Sequence, residues 1–189
     1  GALIMDYAGH GSETMISHEV VLGLNDFATF NNKALPLWIT ASCDIMPFDG
    51  TTPTIGESAV LNENGGAVAF FGTTRTVYAK YNKVLNMAYL SHVLDYTNGK
   101  ANTIGDAQRL AKTEMIITGN DLTTNKLQYS LLGDPAISLN RPSQNIVIDS
   151  INGISTSSST LPEFKGGSIA WNSYSYGKRF QRTDNMQTK

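Results

Sequence analysis

Leu35-Pro36-Leu37-Trp38-Ile39-Thr40-Ala41-Ser42-Cys43 carries apolar side chains at odd and even positions alike. A strand with both faces of its pleat apolar belongs inside a sheet that is covered on both sides. Pro36 stands at its start, where a missing ladder N–H is tolerated. Two further runs read the same way. Ala2-Leu3-Ile4-Met5-Asp6-Tyr7-Ala8-Gly9 leads into His10-Gly11-Ser12, and Gly66-Ala67-Val68-Ala69-Phe70-Phe71-Gly72 is apolar throughout. Strands over Leu3–Ala8, Pro36–Ala41 and Gly66–Gly72 are therefore predicted to lie side by side and parallel, in an open α/β sheet. Such sheets gather their ligands outside the carboxyl ends of the strands.

The segments between the strands carry helix signals. Asn25 can cap a short helix through Phe30. Thr54 followed by Glu57 is a capping-box pattern, and its helix is predicted to end near Asn64-Gly65-Gly66. Tyr81–Tyr96 spaces Val84, Leu85, Ala88, Leu90, Val93 and Leu94 at helical intervals and stops at Asn98-Gly99. Thr103 with Asp106 opens another helix, running to Ile117 before Gly119. Gly11–Leu24 and Asp44–Pro53 read as loops. Alternation of strand and helix gives α/β as the fold class.

Beyond Pro142 the composition changes. Ile146–Ile151 alternates like a strand, Ser155–Thr160 is a polar linker, Ser168–Trp171 is a further short strand, and Lys178–Lys189 is polar and expected to be irregular. The division expected is 1–142 for the α/β unit and 143–189 for the start of a β-rich, immunoglobulin-like appendage, too short to close a sandwich alone.

The chemistry concentrates at two strand ends. Cys43 is the single cysteine of the chain. It follows the second strand as His10 follows the first, and Cys with His is the pair that thiolate catalysis needs, one side chain attacking while the other takes its proton. The plainer readings are a small buried hydrophobe for Cys43 and a turn residue for His10. The flanks favour the reactive reading. Gly9 and Gly11 let backbone approach a ligand closely, and Ala41-Ser42 leaves the second strand end open. His18 and His92 share no ligand spacing with His10 or Cys43, so no metal is expected. Ser12 and Ser42 lack a Gly-x-Ser-x-Gly elbow. Glu57 has its capping role, and Asp44 and Asp49 read as turn-forming or solvated carboxylates.

Composition sets bounds. The chain has 189 residues, 41% hydrophobic, with 14 basic and 16 acidic side chains for a net charge of −2. No basic cluster beyond Lys178-Arg179 offers a nucleic-acid footprint, no apolar run approaches a membrane span, and one cysteine excludes an intramolecular disulfide. No signal peptide is recognisable.

Several segments together resemble a known family. Gly9-His10-Gly11-Ser12-Glu13-Thr14, Ala41-Ser42-Cys43-Asp44-Ile45-Met46-Pro47-Phe48-Asp49, Gly56-Glu57 and Gly65-Gly66-Ala67-Val68-Ala69-Phe70-Phe71-Gly72-Thr73-Thr74-Arg75 look like the gingipain-type cysteine peptidases, family C25. Thr73–Tyr78 and Leu131–Ala136 look most like its type IX secretion sortase (PorU-like) branch. The resemblance runs from about Leu3 to Pro142. It implies a caspase-like three-layer α/β/α fold with a mainly parallel sheet. It also implies a cysteine-type endopeptidase or sortase-like transpeptidase, with His10 and Cys43 as the catalytic dyad, the backbone N–H groups of Gly11 and Cys43 as the oxyanion hole, and no cofactor. Arg75 and Tyr78, on the loop after the third strand, are expected to meet the peptide; a surface ion pair and a packing role are the plainer alternatives. Peptide or protein substrates, outer-membrane secretion partners and a cell-surface or periplasmic, secreted location follow by the same resemblance. Because the family places strands ahead of the catalytic His, the sheet is expected to lack its N-terminal strands. The open edge so left would suit a two-fold homodimer. The competing reading is a non-catalytic binding or assembly module.

Overall fold

The computed structural model describes residues 2–140 and, after them, strand segments 150–151, 154–155, 169–175 and 178–184. The chain divides into two compact units, Gly1–Asn140 and Arg141–Lys189.

The first unit runs β1 (Ile4–Ala8), β2 (Met15–Ile16), β3 (Leu22–Gly23), α1 (Leu24–Thr29), β4 (Leu37–Ala41), α2 (Ile55–Val60), β5 (Ala69–Thr73), α3 (Ala79–Val93), β6 (Tyr96–Thr97), β7 (Lys100–Ala101), α4 (Ile104–Ile117), a 3₁₀ turn (Asn125–Gln128) and β8 (Tyr129–Gly133). The main sheet is four-stranded in the order β1-β4-β5-β8. β1 pairs parallel with β4, and β4 with β5, as the apolar runs imply. β8 closes the sheet antiparallel on β5, from Ala69↔Gly133 to Thr73↔Tyr129. β8 is a strand that its own five residues, Tyr129–Gly133, do not announce.

Alternation along β4 and β5 divides the core. Leu37, Ile39, Ala69 and Phe71 face one way and bury Leu85, Ala88, Tyr89 and Val93 of α3 with Ile104, Ala107, Ala111 and Met115 of α4. Trp38 and Phe70 face the other way, onto Phe27 of α1 and Ile55 and Ala59 of α2. Both faces of the two central strands are thus sealed by helices, the reason their sequences carry no polar alternation. The result is the three-layer α/β/α arrangement. Phe71 stacks on Tyr89 at 3.9 Å between ring centroids, and Trp38 stacks on Phe70 at 6.2 Å.

Thr54 and Thr103 cap their helices as expected, whereas α1 starts at Leu24 with Gly23, not Asn25, at its N-cap, the Gly23 N–H donating to Asp26 Oδ2 at 2.7 Å. Thr54 accepts from the Glu57 N–H while Glu57 Oε2 accepts from the Thr54 N–H at 2.8 Å. α2 ends at Val60, short of the expected Asn64, because the following turn folds back: Asn62 Nδ2 donates to the carbonyls of Phe27 (3.2 Å) and Phe30 (2.8 Å). Gly66 then turns at φ +87°, where a Cβ would lie 2.0 Å from the Ala59 carbonyl oxygen. Thr103 caps α4 by accepting from the Asp106 N–H at 3.0 Å. Gly11–Leu24, read as a loop, contains the small antiparallel hairpin β2–β3.

The second unit contains β9 (Ser150–Ile151), β10 (Ile154–Ser155), β11 (Ile169–Ser175) and β12 (Lys178–Asp184), in one antiparallel sheet ordered β10-β9-β11-β12. The expectation of irregular chain over Lys178–Lys189 is corrected for 178–184, which pairs with β11 from Ser175↔Lys178 to Ile169↔Asp184. Ladder hydrogen bonds come from the backbone, so polar side chains do not prevent a strand that has a partner. Residues 146–149, 156–160, 168 and 185–189 of those expectations lie outside the described residues.

Candidate active site

The β1–β4 register closes on Ala8↔Ala41, and each chain then runs two residues further, to His10 and Cys43. Matching positions on neighbouring parallel strands are about 4.8 Å apart. Pairing persists beyond the last strand residue, since the Gly9 N–H donates to the Ala41 carbonyl at 3.3 Å. His10 and Cys43 both line one cleft of ≈ 450 Å³, whose other wall is Val77 and the start of α3, with Asn82, Lys83 and Asn86.

His10 is exposed, and its backbone is pinned. Its carbonyl accepts from Tyr7 Oη at 2.8 Å and from the Ser17 N–H at 2.9 Å. A Cβ at Gly9 would lie 2.5 Å from Tyr7 Oη, so only glycine lets the phenol reach over that position. The His10 ring meets His18 of the β2–β3 turn edge to face, with centroids 4.8 Å apart and planes at 70°. Glu19, beside them, is held below the usual carboxylate range mainly by the Ser17 hydroxyl, with smaller contributions from His18 and His10.

Cys43 is half-buried. Its sulfur lies 3.4 Å from both the Val77 N–H, which donates to it, and the Val77 carbonyl, to which the thiol donates. An amide donor at the sulfur is a favourable partner for a thiolate. The chain swings away immediately afterwards. Asp44 takes φ +49°, its N–H donates to the Arg75 carbonyl at 3.3 Å and its carboxylate accepts from Thr76 Oγ1 at 2.8 Å. The loop after β4 is thereby tied to the loop after β5.

Gly11 pairs with Ile16 in a bridge whose bonds are Ser12 N–H to Met15 O and Ser17 N–H to His10 O, which leaves the Gly11 N–H facing away from the hairpin. Among the described residues neither the Gly11 nor the Cys43 N–H has an acceptor. Gly11 lies beside the hairpin pocket, one residue from the cleft-lining His10.

The structure places the other expected residues as follows. Arg75 forms an ion pair with Asp49, donating from Nη1 to Oδ1 at 3.2 Å and from Nη2 to Oδ2 at 2.5 Å, and also donates to the Thr74 carbonyl. The Arg75 hydrogen bond is the main reason Asp49 sits below the usual carboxylate range. The guanidinium is therefore engaged. Tyr78 is exposed at the head of α3, its N–H donating to Asn125 Oδ1 at 2.7 Å, and it does not line the cleft. Ser42 is buried, and His92 pairs with Glu114 of α4 at 2.8 Å. Among the described residues no three His, Cys, Asp or Glu side chains converge as a metal site.

Residues that sequence reasoning passed over come from α3 and from the hairpin. Asn86 Nδ2 donates to both carboxylate oxygens of Asp6, at 3.1 and 3.0 Å, and desolvation against the helix raises that carboxyl. Tyr129 is buried; burial first, then the charges of Cys43 and Asp6, raises its phenol. Asn86, Lys83 and Val77 have no local signal, since they reach the cleft only through packing.

The sequence profile of peptidase family C25 matches residues 1–140. The chain belongs to this family. Kinship is thus with the gingipain-type cysteine peptidases. Among solved structures, gingipain R, an Arg-specific cysteine proteinase, is 18% identical with a TM-score of 0.59, covering 97% of this chain and 47% of the gingipain chain. The complex of Porphyromonas gingivalis RgpB pro- and mature domains is 16% identical with a TM-score of 0.61, covering 97% of this chain and 48% of that one. A structure described only as a protease is 20% identical with a TM-score of 0.59, covering 92% and 42%. At such identity the likeness speaks to the fold alone, and this C25 chain spans less than half the length of each. No curated protein matches it.

Proposed function

We propose that this chain is the nucleophile-bearing part of a C25 cysteine peptidase that acts on peptide or protein substrates through Cys43 and His10. The observation that carries the reading is the equivalent placement of the two residues, two positions beyond a register-paired alanine on adjacent parallel strands, with both residues lining one cleft. His10 takes the thiol proton, and the thiolate attacks the peptide carbonyl carbon. The carbonyl oxygen gains the charge and turns to the N–H groups of Gly11 and Cys43. Collapse breaks the C–N bond, the leaving amine takes the proton from His10, and the acyl group remains as a thioester on Cys43. Water or an acceptor amine attacks the thioester, His10 takes the incoming proton, and the thiol is restored.

Thr73–Tyr78 and Leu131–Ala136 favour the sortase-like transfer branch of type IX secretion, and with it a cell-surface setting and outer-membrane partners. In that branch Arg75 receives a substrate carboxylate only after leaving Asp49, while Tyr78 is available as a stacking face. β1 borders the described sheet, an edge suited to a two-fold homodimer; a monomer mass in light scattering would count against the dimer. The central test is labelling by a peptidyl acyloxymethyl ketone. Modification of Cys43 that His10→Ala abolishes supports the peptidase reading. A slow thiol indifferent to His10 points instead to a non-catalytic binding module.

A further inference from the structure

The β2–β3 hairpin has a feature that the dyad alone does not use. Its turn takes left-handed backbone at Ser17 (φ 66°) and at Val20 (φ 52°), the latter a β-branched residue for which that conformation is strained. The strained turn brings the ring of His18 into a T-shaped contact with that of His10, centroids 4.8 Å apart and planes at 70°. It is anchored to the same residue from below, because the Ser17 N–H donates to the His10 carbonyl at 2.9 Å. Ser17 Oγ and Glu19 close the turn on itself: the hydroxyl donates to the Glu19 carboxylate and accepts from the Glu19 N–H at 3.3 Å. A small pocket of ≈ 160 Å³ between His10, Ser12, Met15, Ser17 and His18 leaves the two rings accessible.

A catalytic imidazole needs its ring held in one orientation, a task that falls elsewhere to a hydrogen-bonded carboxylate. Among the described residues no hydrogen bond reaches the ring nitrogens of His10; its ring packs edge to face with that of His18, and the Glu19 carboxylate lies beside both. Edge-to-face rings at this separation attract beyond their buried area. We propose that His18 is a positioning residue for His10, its ring holding the His10 imidazole in the orientation that faces Cys43. This inference rests on the peptidase reading above.

The test is the alkylation rate of Cys43 by iodoacetamide at neutral pH in the full chain, with thermal unfolding recorded for each variant. His10→Ala is expected to slow alkylation by about 10-fold or more, at or below the low end of what a positioned base supplies. His18→Ala is expected to reproduce most of that slowing, and His18→Phe, which keeps a ring, to stay within about 2-fold of the parent. The imidazole C–H proton signals of His10 should move on His18→Ala while those of His92 stay. This readout does not depend on reactivity. Parent-like alkylation in His18→Ala beside a slowed His10→Ala overturns the positioning role alone. A slow His18→Phe overturns ring packing as the device. Parent-like alkylation in His10→Ala removes the dyad and this inference with it.

Discussion

Replacing Gly11 by alanine should separate the demands of the site from those of the core. A Cβ there would lie 2.5 Å from Ile45 Cδ1 and 2.9 Å from Ser42 Cβ. Neither neighbour yields easily: Ile45 is 0% and Ser42 1% exposed, and Ser42 sits at the end of β4, with its carbonyl bonded by Thr73 Oγ1. The segment carrying His10 and Gly11 must therefore lift off the end of β4. Overpacking of this kind costs about 1–3 kcal/mol. For the 140-residue unit this corresponds to a Tm drop of roughly 3–10 °C. The effect on chemistry should be larger, since a shift near 1 Å in a catalytic constellation can cost about 100-fold. The assay pairs a thermal melt with the alkylation rate of Cys43. Ile45→Val removes the Cδ1 atom that clashes, so the double variant should recover part of both losses, although Ile45→Val alone costs about 0.5–1.5 kcal/mol. A Gly11→Ala protein with unchanged Tm and unchanged Cys43 reactivity would refute the claim that close backbone approach at this position builds the site.

Phe71→Ala removes a fully buried ring stacked on Tyr89, and should lower stability by about 3–5 kcal/mol in a denaturant titration. Thr54→Ala takes away the cap of α2 and should cost about 0.5–2 kcal/mol in the same measurement, without changing the environment of Cys43. Arg75→Ala should return the Asp49 carboxyl to the ordinary range in an NMR titration. Because Asp49 titrates below its unfolded value, the pair stabilises fully above that value and fades as pH falls through the folded one; at neutral pH this exposed pair should matter little to Tm. Asp6 is displaced in the opposite sense. Its raised carboxyl opposes folding once pH exceeds the unfolded value, so Asp6→Asn should leave Tm unchanged in acid and raise it slightly at neutral pH, while Asn86 Nδ2 keeps an acceptor.

Sequence alone determined the elements whose signals are local. The central strands were legible because both faces of β4 and β5 are buried, which demands apolar residues at every position. Thr54 and Thr103 announced their helices because capping is a contact across three residues. That His10 and Cys43 line one cleft was legible for a related reason: each follows its own strand by two residues, and a parallel sheet collects strand ends at one edge. Only the tertiary structure could decide what depends on distant segments meeting. The strand Tyr129–Gly133 takes its antiparallel place because β5 offers it a free edge, and 178–184 becomes a strand because β11 pairs with it. Val77 reaches the Cys43 sulfur across 34 residues, and Arg75 reaches Asp49 across 26, through two loops that the sheet brings together. The approach of His18 to His10 depends on two left-handed residues in a turn that no glycine announces. Periodicity and caps report what neighbouring residues do to one another; register, ion pairing and ring contacts are set by packing energy shared across the whole unit, and no short stretch of chain carries that information.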